Sequence, residues 1–87
     1  MENRLDGNVI GGMLGEIFPF EMTSVIATCA GCGATDPIGA FTTYVHGMGM
    51  VVRCHFCDTA LVRLTHLEGR YWVDMRGVQV LQISDDR

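Results

Sequence analysis

The sequence predicts a small α+β domain, an antiparallel β-sheet with two cysteine knuckles preceded by an N-terminal helix. Helix-spaced apolar residues run from Leu5 to Phe18, alternating β-branched segments run from Thr23 to Ile83, and two Cys-x-x-Cys pairs fall inside the second region. At 87 residues the chain makes one domain, spanning 1–87, with the helix over 5–18 and the β-rich part over 23–83.

The helix rests on apolar residues at 5, 9, 10, 13, 14, 17 and 18, with Asp6 as its N-cap and Pro19 as its stop. Gly7, Gly11, Gly12 and Gly15 oppose it, each costing about 1 kcal/mol relative to alanine, so docking must hold it in place. Gly7, Gly11 and Gly15 recur every fourth residue and make a smooth strip. That strip suits either close packing on the chain's own sheet or a helix–helix contact in a homodimer.

From Thr23 the pattern turns to strands. Thr23 to Thr28 leads into the first cysteine pair, and Ala40 to His46 is followed by a turn at Gly47-Met48-Gly49. Met50 to Arg53 leads into the second pair, and Thr59 to Leu67 returns through Glu68-Gly69 as Arg70 to Met75. Gly77 marks a bulge or bend before Val78 to Ile83.

Cys29-Ala-Gly-Cys32-Gly33 and Cys54-His-Phe-Cys57-Asp58 are separated by 21 residues, enough for a hairpin that returns the second knuckle beside the first. Each pair presents two thiolates to one ion, and Cys29, Cys32, Cys54 and Cys57 together make a tetrahedral set for one structural Zn²⁺. Gly33 follows the first pair where the backbone needs positive φ, and Asp58 takes the matching place after the second. The whole reads as zinc-ribbon-like. Iron in a rubredoxin-like electron carrier is the alternative metal, since both ions accept four thiolates in a tetrahedron. Disulfides are disfavoured because the N-terminus has no secretory pattern, which makes a reducing cytoplasm the expected location.

Composition narrows the partners. Hydrophobic residues make up 48% of the chain and charged residues 18%, below the typical share of about 25%, so some apolar surface is expected to face a partner or a second copy. The net charge is −4 and arginine supplies all six cations, a balance that disfavours general affinity for nucleic acid. Val9 to Phe20 is too short to cross a bilayer, so no membrane is expected.

The remaining side chains point to no enzyme and no small-molecule substrate. The carboxylates form no acid–base pair, and neither Ser24 nor Ser84 sits in a nucleophile elbow. Four thiolates would also leave a zinc ion no position for water, so no catalytic residue is expected. His55 is expected beside Phe56 at the second knuckle as a surface residue; His46 and His66 lie on strands. Met48, Met50 and Phe56 form either an adaptable binding surface or a fold-back onto the sheet. Arg53, Arg63, Arg70 and Arg76 line a sheet face around Tyr71 and Trp72, a composition shared by protein interfaces and by stacking surfaces for single-stranded nucleic acid.

Leu5-Asp6-Gly7-Asn8 with Gly11-Gly12, Glu21-Met22-Thr23, Cys29-x-x-Cys32-Gly33, Val51-Val52-Arg53-Cys54-x-x-Cys57, Arg70-Tyr71-Trp72 and Asp74-x-Arg76-Gly77 span nearly the whole chain. In these pieces it resembles a bacterial, mainly actinobacterial, family of short proteins of unknown function. The resemblance implies a zinc ribbon and no activity. The expectation is therefore a cytoplasmic, non-enzymatic zinc module acting through a protein partner or as a homodimer, with nucleic-acid binding as the alternative.

Overall fold

The computed structural model describes residues 3–6, 15, 17, 18, 21–47 and 49–84. These hold eight strands: β1 (Asn3–Asp6), β2 (Ile26–Cys29), β3 (Thr35–Pro37), β4 (Thr42–His46), β5 (Gly49–Arg53), β6 (Ala60–Leu67), β7 (Arg70–Asp74) and β8 (Val78–Gln82). They form two antiparallel sheets, one in the order β1-β4-β5-β6-β7 and one in the order β3-β2-β8. Single 3-10 turns at Met22–Ser24 and Ile38–Ala40 lead into the strands that follow.

The expected α+β class is corrected to two antiparallel sheets, because the described residues contain no N-terminal helix. Leu5 and Asp6, the start of the expected helix, are extended in β1 and pair with Thr43 and Thr42 of β4. The apolar spacing was helical, but β4 needs a neighbour. Without β1 it would expose a row of unpaired backbone groups, and four glycines leave the competing helix weak. Residues 7–14, 16, 19 and 20 of the stretch lie outside the described residues, and with them Gly7, Gly11, Gly12 and Pro19; Gly15 and Ile17 have helical backbone.

The core lies between the sheets. Phe41, Ile38, Leu61, Leu64, Val52 and Val62 are almost wholly buried, with Ala27 and Cys29 of β2 beside them. β6 alternates along Val62, Arg63, Leu64 and Thr65, as a strand with one wet face should. Leu61 breaks the alternation and is buried too. A register shift between Val52 and Arg53 gives β6 an extra residue there, and a bulge turns that residue inward.

Both expected hairpins form. His46 pairs with Gly49 around Gly47, which has φ 57°. Leu67 pairs with Arg70 around Glu68 and Gly69, at φ 53° and 74°. Two successive left-handed residues suit the right-handed twist of the flanking strands. The bend expected at Gly77 carries the chain from β7 in one sheet to β8 in the other.

Candidate metal centre

The cysteines sit where the two sheets meet. Cys29 ends β2 in the three-stranded sheet, and Cys54 directly follows β5 in the five-stranded one. The two knuckles are built alike. The Gly33 N–H donates to the Cys29 carbonyl at 2.9 Å, and the Asp58 N–H to the Cys54 carbonyl at 2.8 Å. The Cys29 N–H donates to the Ala34 carbonyl at 2.8 Å, and the Cys54 N–H to the Thr59 carbonyl at 2.9 Å. Closing each loop requires a left-handed residue, supplied by Gly33 at φ 81° and Asp58 at φ 67°. Both positions are those expected from the sequence.

The backbone also points at the sulfurs. The Gly31 N–H donates to Cys29 Sγ at 3.3 Å, and the Phe56 N–H to Cys54 Sγ at 3.4 Å. Such bonds fix each side chain's direction. All four Sγ atoms lie within 4.8 Å of one another. The contacts between knuckles are 3.6 Å for Cys29–Cys57 and 3.7 Å for Cys32–Cys54. A tetrahedral ion with bonds of about 2.3 Å to sulfur needs sulfur–sulfur edges of about 3.8 Å. The donor set therefore fits such an ion, while the sulfurs stand well beyond the roughly 2.05 Å of a disulfide and the cysteines are free.

The knuckles differ at their rims. Cys29 and Cys54 are buried, whereas Cys32 and Cys57 are exposed. Thr59 Oγ1 lies 3.0 Å from Cys57 Sγ, and Ala34, the matching residue of the first knuckle, has no hydroxyl to offer Cys32. The Thr59 side chain and backbone hydrogen bonds bring the Cys57 thiol down to about 6. For Cys32 the Ala34 backbone bond acts downward, but desolvation and the neighbouring Cys57, Cys54 and Cys29 prevail and push it up to about 12.

Three supporting residues escaped the sequence reading. Gly31 packs so closely that a Cβ there would lie 2.3 Å from Thr59 Oγ1 and 3.2 Å from Cys57 Sγ. Arg53 donates from Nη1 to the Asp58 carbonyl at 2.9 Å, bracing the left-handed residue that closes the second knuckle. Thr59 itself stands two residues past Cys57, a position whose importance only the three-dimensional arrangement reveals.

His55 lies beside Phe56 on the second knuckle, where the sequence places it. Its ring lies 5.3 Å from that of Phe41 and 4.3 Å from that of Phe56, and Nε2 stands 3.6 Å from Asp36 Oδ2. Phe56 is 69% exposed, as expected, while Met50 packs against the core and Met48 lies outside the described residues. The arginine face needs two corrections. Register puts Arg53, Arg63, Arg70 and Trp72 on one face of the five-stranded sheet, but Tyr71 points to the other and stacks on His66 at 4.1 Å. Arg76 lies beyond β7 and grips Asp74 through Nε and Nη2, holding that carboxyl down to about 2.

Among the described residues no helix is long and apolar enough to cross a membrane. No curated protein and no solved structure matches the chain. A family model described as a family of unknown function, DUF6510, matches residues 1–86, and the chain belongs to that family.

Proposed function

We propose that the protein is a non-enzymatic, cytoplasmic binding module in which Cys29, Cys32, Cys54 and Cys57 hold one structural Zn²⁺ in a zinc-ribbon-like centre. The observation that carries this reading is the convergence of four Sγ atoms within 4.8 Å on two matching knuckles. Four thiolates fill a tetrahedral sphere, so the ion has no place for a substrate or water. Its role is mechanical: it ties the end of β2 to the end of β5 and so fastens one sheet to the other.

Such a staple answers the stability problem of a chain this small. Structural zinc in short peptides binds with about 10–16 kcal/mol of apparent free energy, as much as an ordinary domain's whole stability of about 5–15 kcal/mol. The role left to the rest of the molecule is recognition through its exposed surfaces. The Gly7/Gly11 part of the strip that favoured a homodimer lies outside the described residues, so the open sheet face and the exposed Phe56 support the binding role.

Native mass spectrometry of protein purified without added metal, with an absorbance spectrum of the same sample, tests the centre. The expected result is one zinc per chain and no visible band. Iron with visible thiolate bands would replace this reading by electron transfer, and a folded metal-free chain would overturn it.

A further inference from the structure

We propose that two copies of this chain pair antiparallel along β7, the open edge of the five-stranded sheet, with Trp72 at the centre of the contact. The proposal deepens the binding-module reading by naming the partner, and it rests on that reading.

The edge is open and carries an exposed ring. β7 ends the order β1-β4-β5-β6-β7, and among the described residues it pairs with β6 alone. Its outer side therefore presents backbone donors and acceptors to which a further strand can add. Strand alternation puts Arg70, Trp72 and Asp74 on one face, and the indole at its middle is 52% exposed.

The order of charges selects the strand that fits. Glu68, Arg70, Trp72, Asp74 and Arg76 stand at every second position, with signs minus, plus, none, minus, plus. Read backwards, the signs are plus, minus, none, plus, minus. An antiparallel second copy centred on Trp72 therefore sets Arg70 against the partner's Asp74. Just beyond the strand ends, Glu68 comes opposite the partner's Arg76. Two-fold symmetry makes each pairing twice and brings the two Trp72 rings together. On the other face Tyr71 meets the partner's Val73, an aromatic side chain against a β-branched one. A two-fold axis perpendicular to the sheet keeps the faces in common, as this register requires.

Neighbouring registers are penalised. Sliding the second copy by two residues one way places Arg70 opposite the partner's Arg76. Sliding it the other way places Glu68 opposite the partner's Asp74. Like charges directly opposite are destabilising, so the charge order favours one alignment over both.

A second copy also suits the charge of the whole chain. The protein carries −4, but residues 68–76 hold two arginines, one glutamate and one aspartate and are neutral together. Two acidic copies can meet here without opposing like charge to like. Arg70 and Glu68 have no ion-pair partner among the described residues, so pairing supplies what the single chain lacks. Asp74 already accepts from Arg76, and its two oxygens retain acceptor capacity for Arg70 of the partner subunit. The edges of the smaller sheet are poorer candidates. β3 has three residues and ends at Pro37, and β8 carries no charge that could select a register.

Five residues of strand span about 17 Å, less contact than a standard interface of about 1,600 Å² provides, so a Kd of about 10–100 μM is expected. Sedimentation equilibrium of the zinc-loaded protein from about 5 to 500 μM should show monomer passing into dimer. Trp72 is the only tryptophan, and its emission should shift to shorter wavelength over the same range. Arg70→Asp changes an exposed side chain with no ion pair in its own chain and should raise the Kd about tenfold or more. Asp74→Arg should do the same, while an equimolar mixture of the two variants should dimerise about as tightly as the parent, since each offers the sign the other lacks. If Asp74→Arg fails to fold, Trp72→Ala takes its place and should also weaken the dimer about tenfold. A chain that stays monomeric at about 500 μM would overturn the proposal. So would an Arg70→Asp protein that dimerises as the parent does, which would put the contact on another edge. Zinc measured on the same samples separates these outcomes from failure of the metal centre, because a one-zinc monomer loses only the present proposal.

Discussion

The Gly77 carbonyl accepts a hydrogen bond from the Ala30 N–H at 2.8 Å, which ties the bend between the sheets to the first cysteine knuckle. On its other side Gly77 lies against the start of β6. A Cβ at this position would fall 1.9 Å from the Ala60 carbonyl oxygen and 2.8 Å from the Leu61 Cα. Both obstacles are backbone, so no rotamer change relieves them. Gly77→Ala should therefore destabilise the fold by on the order of 3 kcal/mol, read as a lower midpoint in a urea titration. An unchanged midpoint would show that the two segments separate freely.

Gly31→Ala tests the same tightness inside the centre. Its Cβ would meet the Thr59 hydroxyl and Cys57 Sγ, the atoms that set the exposed rim of the second knuckle. Thr59 is a side chain and can rotate away, but doing so removes its bond to Cys57. The expected outcome is faster loss of zinc to a chelator, with the metal still bound at the start. A release rate equal to that of the parent would count against the role given to Thr59.

Cys32→Ser addresses the centre as a whole. Cys32 is exposed, so the substitution removes little packing, yet it deletes one corner of the tetrahedron. The far-ultraviolet circular dichroism of Cys32→Ser should show loss of strand structure at ambient temperature. A soluble, folded Cys32→Ser protein would show that the sheets cohere without the staple.

Much of this centre could be read from the sequence, because its parts are local. Two residues between cysteines define a knuckle, and the residue after each pair must take positive φ, which Gly33 and Asp58 do. The hairpin turns at Gly47 and Glu68-Gly69 were legible for the same reason. The partition into two sheets was not. It depends on Gly77 fitting against Ala60 and on β8 pairing with β2 across about fifty residues, relations that no short window contains. The N-terminus failed differently. Leu5 satisfied a helical period, but its structural role is set by the unfilled edge of β4, a demand that arises only once the sheet exists.

Glu68 is the non-glycine half of a turn that holds two successive residues in the left-handed region. A glutamate there pays a local penalty that asparagine largely avoids, since its short side chain suits that backbone. Glu68→Asn should raise stability by about 0.5–1 kcal/mol, seen as a higher melting temperature with zinc content unchanged. A lower melting temperature would mean that the glutamate side chain makes a compensating interaction.

The Asp74–Arg76 pair should influence titration far more than stability. Arg76 bonds hold the Asp74 carboxyl down to about 2, below its ordinary 3.8. A depressed carboxyl contributes stability above the unfolded value of 3.8 and loses it as the pH falls through about 2. The Arg76 side chain is 90% exposed, so solvent screens most of that contribution. In Arg76→Ala the carboxyl resonance of Asp74 should titrate nearer 3.8, while the melting temperature at neutral pH stays close to the parent's.

Thr43 offers the complementary case, a polar group whose removal should help. It is fully buried on β4 between its register partners Leu5 and Val52, and its Oγ1 has no hydrogen-bond partner among the described residues. A buried hydroxyl without a partner costs about 1–3 kcal/mol of desolvation that nothing on the strand offsets. Valine has nearly the same shape and strand preference and brings no such group. Thr43→Val should therefore leave the fold intact and raise stability by about 1 kcal/mol, measured by urea denaturation of the zinc-loaded protein. Destabilisation by a similar amount would show that Oγ1 is satisfied in solution, by a water between β4 and its neighbours or by the chain that precedes Met22.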